Sequence, residues 1–202
     1  MESGRGCVKL FGMPVSPAFV VFAGLLLATG LMRLVEAVVS ARRIRQRPAA
    51  LVAEPWLFPL MVLLHTGLVF GPLTEVVWLE RPFVPQLATT ALTVFGLATL
   101  VRIWTLRTIG KAWNVRVLRP EANEIVTSGP YAWIRHPNYL AVILEIAALP
   151  LFHTAWVSCL VLSAVNVLVL YQRVRVEEAE LSELPAWRKT MADRARWIPG
   201  LF

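Results

Sequence analysis

Long apolar runs alternate with short polar segments along the chain, at 14–39, 55–78, 86–106, 137–149 and 151–170. A run of about 20 apolar residues crosses the hydrocarbon layer as a helix, so the first three runs are predicted to span a membrane. The last two are separated by Pro150 and are predicted to form a helical hairpin, with Pro150 and His153 at its turn. The pattern predicts an all-α, polytopic integral membrane protein with about five transmembrane helices.

Basic residues predict how these helices are oriented. The loop after the first run carries a group of arginines, at positions Arg42, Arg43, Arg45 and Arg47. Short loops rich in Lys and Arg stay in the cytoplasm, so the N-terminus is predicted outside and both ends of the hairpin inside, in a prokaryotic inner or cell membrane. The tail from Val174 is charged and is predicted to form a cytoplasmic amphipathic helix that extends from the membrane.

Polar and helix-breaking residues inside the runs give more local predictions. Arg33 and Glu36 are three apart, share a helix face and are expected to pair. Arg102 is expected to reach the membrane interface with its long side chain. A kink or an early exit is expected at Gly71-Pro72. Residues 110–135 are too polar to span and are predicted to lie on the membrane surface, followed by a loop.

Composition supports a membrane protein over a soluble one. The chain is 57% hydrophobic and 16% charged, against about a quarter charged in soluble domains. Its net charge of +7 suits anionic membrane lipids, since no basic stripe interleaved with aromatics indicates a nucleic-acid partner. The two cysteines, Cys7 and Cys159, have no metal-binding spacing, and His65 and His153 are isolated, so no metal site is expected.

The segment 128–139, SGPYAWIRHPNY, concentrates polar groups next to a membrane helix. Ser-Gly-Pro favours a turn, and Pro137 suits the first position of a helix. Arg135 and His136 then lie at the helix mouth, where backbone N–H groups are free to receive an anion. An interfacial aromatic belt is the simpler interpretation, particularly for Trp133, but the whole cluster favours a binding site.

A second polar segment follows the hairpin. Arg173 and Glu177 are four apart, which by itself indicates only a surface ion pair. The hairpin, however, returns Arg173, Glu177 and Glu178 to the level of His136. A cation and carboxylates then face the histidine–tyrosine cluster at one membrane interface, where a pocket is expected.

These segments resemble the isoprenylcysteine carboxyl methyltransferase (ICMT) family in its short bacterial and archaeal form. The resemblance runs from about residue 110 to 200 and consists of GKAWNVRV, EIVTSGPYAWIRHPNY, RVRVEEAEL and RWIPG. It implies three N-terminal spans in region 1–109 and a methyltransferase region at 110–202. It also implies S-adenosylmethionine as the methyl donor, held between the last membrane helices and the tail.

The resemblance assigns roles to residues on both polar segments. The adenosine side of the pocket would be formed by Asn123, Glu124, Ile125, Val126 and Tyr131. The methionine part would be held by His136, Pro137, Asn138 and Tyr139, with Glu177 and Arg116 as further contacts. Arg173 matches the arginine that binds the substrate carboxylate, and the predicted catalytic residues are Arg173 and Glu178. The paired tyrosines of the family's tail are replaced by Trp187 and Met191, and Arg194 and Arg196 precede the closing motif.

The methyl acceptor is expected to be a lipophilic, prenylcysteine-like molecule that enters from the bilayer. A carboxylate is ionised at neutral pH and needs no base, whereas a phenol on a lipid tail would need His136 or Glu178 to remove its proton. Two further alternatives are an NADPH-dependent membrane reductase of the sterol type, which can share the Arg-His-Pro-x-Tyr helix, and a scaffold without catalysis.

Overall fold

A computed structural model describes residues 9–10, 13–14, 16–46, 52–118 and 125–198. It confirms the all-α, polytopic class. The helices are α1 (Pro17–Arg45), α2 (Leu57–Trp78), α3 (Pro85–Ile109), α4 (Pro137–Leu151), α5 (Trp156–Ser182) and α6 (Pro185–Met191). Two 3-10 turns, Gly110–Ala112 and Gly129–Ala132, and a two-residue strand pair, Lys9–Leu10 with Met13–Pro14, complete the described elements.

Four helices of the described residues are long and apolar enough to cross a membrane: α1, α2, α3 with its 3-10 extension, and α5. α4 has 15 residues and is shorter than these. Large apolar side chains point away from the bundle, as a lipid-facing surface requires. Examples are Leu31, Leu63, Leu100 and Leu168. The chain is therefore an integral membrane protein, while a fifth full span stays a prediction.

The helices pack as α1 on α2, α2 on α5, α5 on α4 and α4 on α3. Their buried core is apolar and lies between α1, α2 and the hairpin, with Phe22, Leu68 and Ile146 among its members. The ends of α1, α3 and α5 and the beginnings of α2 and α4 lie together, at what we call the site face. Arg43 connects two of these ends, since it donates to the carbonyls of Gly110 and Trp113 at 3.1 and 2.8 Å.

The opposite face contains the turn of the hairpin. The Glu75 carboxylate accepts from the backbone N–H groups of Val157 and Ser158 at 3.1 and 2.6 Å. A carboxylate at the first turn of α5 satisfies N–H groups that have no partner in the helix and complements the helix dipole. Arg81 donates to the same carboxylate at 3.0 Å, so this contact ties the loop after α2 to the hairpin.

The predicted hairpin is confirmed. Pro150 is the last residue but one of α4, and its carbonyl accepts from the N–H groups of His153 and Ala155 at 3.3 and 3.0 Å, so Pro150 and His153 lie at the turn. At Gly71-Pro72 the predicted early exit is wrong, because α2 continues through Pro72 to Trp78. A membrane helix tolerates an internal proline.

The charged tail does not extend as a single helix. α5 continues to Ser182, and α6 begins at Pro185, which cannot continue a helix because it lacks an N–H. After α6 the chain folds back onto the segment before α4. Arg135 and His136 donate their backbone N–H groups to the carbonyls of Ala195 and Arg196 at 2.9 and 3.0 Å. The tail thereby becomes part of the site face.

Candidate functional site

A polar cavity of about 150 Å³ lies at the site face. It is bordered by the loop after α3, the beginning of α4, the end of α5 and by α6. Most residues predicted for the cofactor and acceptor line it: Arg116, Ile125, Val126, Tyr131, His136, Asn138, Tyr139, Arg173 and Glu177. Pro137 is buried at the first position of α4 and does not line it. Asn123 and Glu124 lie outside the described residues.

Arg173 is held at the inner end of this cavity. It is 4% exposed, and its Nε donates to the Tyr139 hydroxyl at 2.6 Å. One Nη donates to the Val115 carbonyl and the other to the Met61 sulfur. A thioether is a weak acceptor, so the nitrogen on Met61 makes the weakest of these hydrogen bonds; the same nitrogen also lies 4.0 Å from the buried Glu54 carboxylate.

Tyr139 connects Arg173 to Glu177. Its hydroxyl accepts from Arg173 and donates to the Glu177 carboxylate. Its ring stacks on the His136 ring, with 5.2 Å between centroids and 16° between planes. Arg173 and Glu177, which the sequence suggested as an ion pair, are thus linked through the Tyr139 hydroxyl of the opposite helix. A cation, a phenol and a carboxylate form one hydrogen-bonded row along the cavity wall.

Glu178 lies behind this row and does not line the cavity. Its carboxylate is 3.0 Å from Arg135 Nη1, 3.1 Å from His136 Nε2 and 2.7 Å from Arg196 Nη2. The hydrogen bond to Glu178 raises the pKa of the Arg196 guanidinium. Glu178 therefore joins α5 to the beginning of α4 and to the tail, and its carboxylate is paired with Arg135 and Arg196.

The tail closes the outer side of the cavity. Trp187 and Met191 both line it. Arg194 Nη1 donates to the carbonyls of Thr127 and Tyr131, and so holds the loop before α4. Burial, and next the charge of Glu177, raise the pKa of the Tyr131 phenol. Tyr131 therefore offers the cavity a neutral hydroxyl.

A second cavity, of about 270 Å³, lies deeper between α1, α2, α4 and α5. We call it the inner cavity. Its walls are mostly apolar, with Phe58, Val69, Phe70 and Val142 among them. The residues that line both cavities form the junction between them: Trp113, Asn114, Asn138, Tyr139 and Arg173. Sequence patterns gave no sign of this cavity, because residues from five helices create it, Arg102 of α3 included.

Charged groups line one side of the inner cavity. Arg33 pairs with Glu36 at 2.7 Å, which confirms that prediction, and also with Glu145 at 2.6 Å. Arg102 pairs with Glu36 at 2.6 Å and is 4% exposed. The expectation that Arg102 reaches the interface is therefore wrong, since a partner on α1 keeps it buried. Two cations and two carboxylates balance in this cluster.

Within the described ranges, no group of three or more His, Cys, Asp or Glu side chains lies together in a way that could hold a metal ion.

The fold and the cavities define a polytopic helical membrane protein with a polar site at one membrane face. Residues 90–183 match the model of the isoprenylcysteine carboxyl methyltransferase (ICMT) family, which confirms the resemblance. Members of this family are S-adenosylmethionine-dependent methyltransferases, which supports a membrane methyltransferase in general.

Two bacterial relatives match part of the chain. An uncharacterized protein of Bacillus subtilis (strain 168), YpbQ, is 42% identical over 84 residues, which are 42% of this chain and 50% of that protein. An uncharacterized protein of Haemophilus influenzae (strain ATCC 51907 / DSM 11121 / KW20 / Rd) is 30% identical over 95 residues, which are 46% of this chain and 54% of that protein. The chain thus spans about half the length of the curated relatives it matches.

Proposed function

We propose that this protein transfers a methyl group from S-adenosylmethionine to an oxygen of a lipophilic acceptor, foremost a carboxylate. The observation that supports this best is the meeting of two unlike cavities at Arg173 and Tyr139. A polar cavity at the membrane face suits a charged, water-soluble methyl donor. An apolar cavity inside the bundle suits a molecule that arrives from the bilayer.

The chemistry of the polar cavity fits the proposed donor. S-adenosylmethionine carries a sulfonium, an ammonium, a carboxylate and an adenosine, and when bound it supplies an electrophilic methyl group. The Glu177 carboxylate suits the cationic groups, and Arg116 or Arg135 suits the carboxylate. Ile125 and Val126 offer an apolar wall for the base, with Asn123 and Glu124 assigned to the same side. His136, Pro137, Asn138 and Tyr139 keep their assignment to the methionine part.

Arg173 is proposed to bind the acceptor. A carboxylate acceptor is ionised at neutral pH and needs orientation and exclusion of water more than a base. Arg173 is buried at the junction, and its contact with the Met61 sulfur can be exchanged for a carboxylate oxygen. Tyr139 fixes the guanidinium from the other side. These contacts place the cation where an acceptor from the inner cavity meets the polar cavity.

An acceptor phenol is the second candidate, and it would need a base. Of the two side chains considered for that role, His136 lines the polar cavity and Glu178 lines neither cavity. Glu178 is also paired with two arginines. These contacts favour a carboxylate acceptor and leave His136 as the base for a phenol.

The site face is proposed to lie in the cytoplasm, with the N-terminus outside. Arg42, Arg43 and Arg45 lie in the last turn of α1 at this face, in accord with the positive-inside bias. Region 110–202 is proposed to carry the donor site. The N-terminal helices contribute Phe58, Met61 and His65 to the inner cavity, so acceptor binding is proposed to need both regions.

Labelled S-adenosylmethionine, offered with a panel of lipid-tailed acids, phenols and amines in detergent, tests this function. We expect label in a lipid acid, released by mild base as an ester is. Transfer to a phenol would replace the acceptor and keep the enzyme class. Calorimetry with S-adenosylhomocysteine and NADPH separates the reductase, because binding of NADPH alone would refute a methyltransferase. A scaffold would show neither binding nor transfer.

A further inference from the structure

Arg102 connects the buried cluster of Arg33, Glu36, Arg102 and Glu145 to the polar cavity. Its Nε and Nη2 donate to the two oxygens of Glu36, at 3.2 and 2.6 Å. This two-pronged pair fixes the plane of the guanidinium. The remaining nitrogen, Nη1, donates to the Asn138 amide oxygen at 2.9 Å. An arginine of α3 thus reaches a residue in the first turn of α4 that lines both cavities.

The position of Arg102 is set by the rest of the cluster. Glu36 is itself held by Arg33 Nη1 at 2.7 Å, and Arg33 Nη2 donates to Glu145 at 2.6 Å. The Glu145 residue is 2% exposed. Ionic groups at membrane depth are costly and commonly serve a function rather than stability alone. The cluster anchors Arg102 from α1, and α1 in turn from α4.

The contact with Arg102 decides which way the Asn138 amide points. An arginine only donates hydrogen bonds, so it must face the amide oxygen, and the amide NH₂ must point to the other side. Within the part of the chain that the structure describes, no group accepts a hydrogen bond from that NH₂. Because Asn138 lines the junction of the two cavities, its N–H groups are available to a bound molecule.

We propose that Arg102 is a positioning residue, which holds Asn138 so that its NH₂ donates to the carboxylate in the methionine part of the methyl donor. This rests on the proposed function. An amide turned the other way would present its oxygen, which suits the ammonium of the same molecule and repels the carboxylate. Glu177 already supplies an anionic partner for the cationic groups in this cavity. Arg102 thereby makes the Asn138 side of the site selective for a carboxylate.

A double-mutant cycle on the affinity for S-adenosylhomocysteine tests the coupling. Asn138→Ala and Arg102→Gln are each expected to weaken binding about tenfold or more, the value of a hydrogen bond to a charged group. In the double variant the second change should add less than about twofold, because both remove one interaction. Additive losses would show that Arg102 supports only the fold and would overturn the proposal.

Three further measurements keep the test decisive. Arg107→Gln removes a cation from an exposed position of the same helix, α3, without touching Asn138 or the cluster, and it should leave the affinity for S-adenosylhomocysteine within about twofold. Asn138→Asp keeps an oxygen for Arg102 but removes the N–H donors, so it should bind about tenfold more weakly without loss of thermal stability. If it binds like the wild type, the proposal is wrong, even if Arg102→Gln does not fold.

The third measurement uses 5′-methylthioadenosine, which lacks the amino-acid part. Its affinity should be the same for the wild type and Asn138→Ala, and a matching loss for both ligands would refute a contact with the carboxylate. Failure of the wild type to bind S-adenosylhomocysteine at all would instead count against the proposed function, so the two failures are distinguishable.

Discussion

Arg173 donates from its Nε to the Tyr139 hydroxyl across 2.6 Å, and this pair stands where the two cavities meet. The pair joins the two arms of the hairpin, since Tyr139 belongs to α4 and Arg173 to α5. The hydroxyl in turn donates a hydrogen bond to the Glu177 carboxylate. One phenol therefore orients the proposed acceptor-binding cation and the proposed donor-binding carboxylate together.

Replacement of Tyr139 by Phe should affect both substrates. The ring and its stacking on His136 remain, but Arg173 and Glu177 each lose a hydrogen bond. We expect kcat/KM to fall about 10- to 100-fold, as the loss of a hydrogen bond to a charged group implies. Tyr171→Phe, an exposed position on α5, is the matched control. Equal rates for the two variants would contradict a shared role of Tyr139.

Arg173→Lys separates charge from geometry. Lysine keeps the positive charge but cannot bind a carboxylate with two parallel hydrogen bonds or hold Tyr139 and Val115 at once. We expect at least about a 100-fold loss of kcat/KM for a carboxylate acceptor, with nearly unchanged affinity for S-adenosylhomocysteine. Arg175→Lys, two residues on and exposed, should behave like the wild type. A normal acceptor KM in Arg173→Lys would remove Arg173 from the acceptor site.

Glu178→Gln distinguishes a bracing carboxylate from a general base. The amide cannot neutralise Arg135 and Arg196, so we expect the free energy of unfolding to fall by about 1–3 kcal/mol. Thermal unfolding in detergent measures this. If Glu178 were the base for a phenolic acceptor, unfolding would change little, and kcat would instead lose its dependence on pH. The contacts to Arg135, His136 and Arg196 favour the first outcome.

Gly129 lies where the loop before α4 comes close to α3. Its φ is +58°, and an added Cβ would lie 2.7 Å from the Thr108 hydroxyl oxygen. Gly129→Ala should therefore lower the free energy of unfolding by about 2–4 kcal/mol, from backbone strain and overpacking together. Gly96→Ala in α3 meets nothing within 4 Å and should change stability little. Equal unfolding midpoints would show that the loop does not depend on this contact.

Tyr131 gives the alkaline pH dependence. Its pKa is raised above the usual 10.0 because burial, and next the charge of Glu177, disfavour the phenolate. Above that pH the unfolded chain releases a proton that the folded chain keeps, so stability is full below pH 10 and falls as pH rises further. Between about pH 9 and 11, on either side of the free phenol's pKa, the thermal unfolding midpoint of Tyr131→Phe should fall less than that of the wild type. An identical decline would contradict this.

The apolar runs predicted the fold class well, because membrane helices satisfy their own backbone and so depend on local composition. The early exit predicted at Gly71-Pro72 was wrong, because a membrane helix tolerates an internal proline. The residues of the site face were predicted from a local motif at 128–139 and from the hairpin. The hairpin brings the end of α5 back to the beginning of α4, so residues distant in sequence lie at one membrane face. His136 and Glu178, in contact at 3.1 Å, follow from the hairpin alone.

Contacts between sequence-distant helices were not predictable in this way. Arg102 was expected at the interface because a lone arginine near a helix end usually reaches water. Its partner Glu36 lies on another helix, and only tertiary packing reveals the pair. The inner cavity was not predictable either, because no single segment of the sequence forms it. His65 is isolated within its own apolar run, yet it lines that cavity beside residues of other helices.

The backbone contacts between residues 135–136 and 195–196 have a consequence for biosynthesis. Among the residues that the structure describes, the helices able to span the bilayer end before residue 183, whereas Trp187 and Met191 form part of the outer wall of the polar cavity. A nascent chain can therefore insert these helices into the membrane before the proposed donor site is complete. The proposed site is completed only after the membrane helices have been made, when the emerging tail folds back onto the mouth of α4.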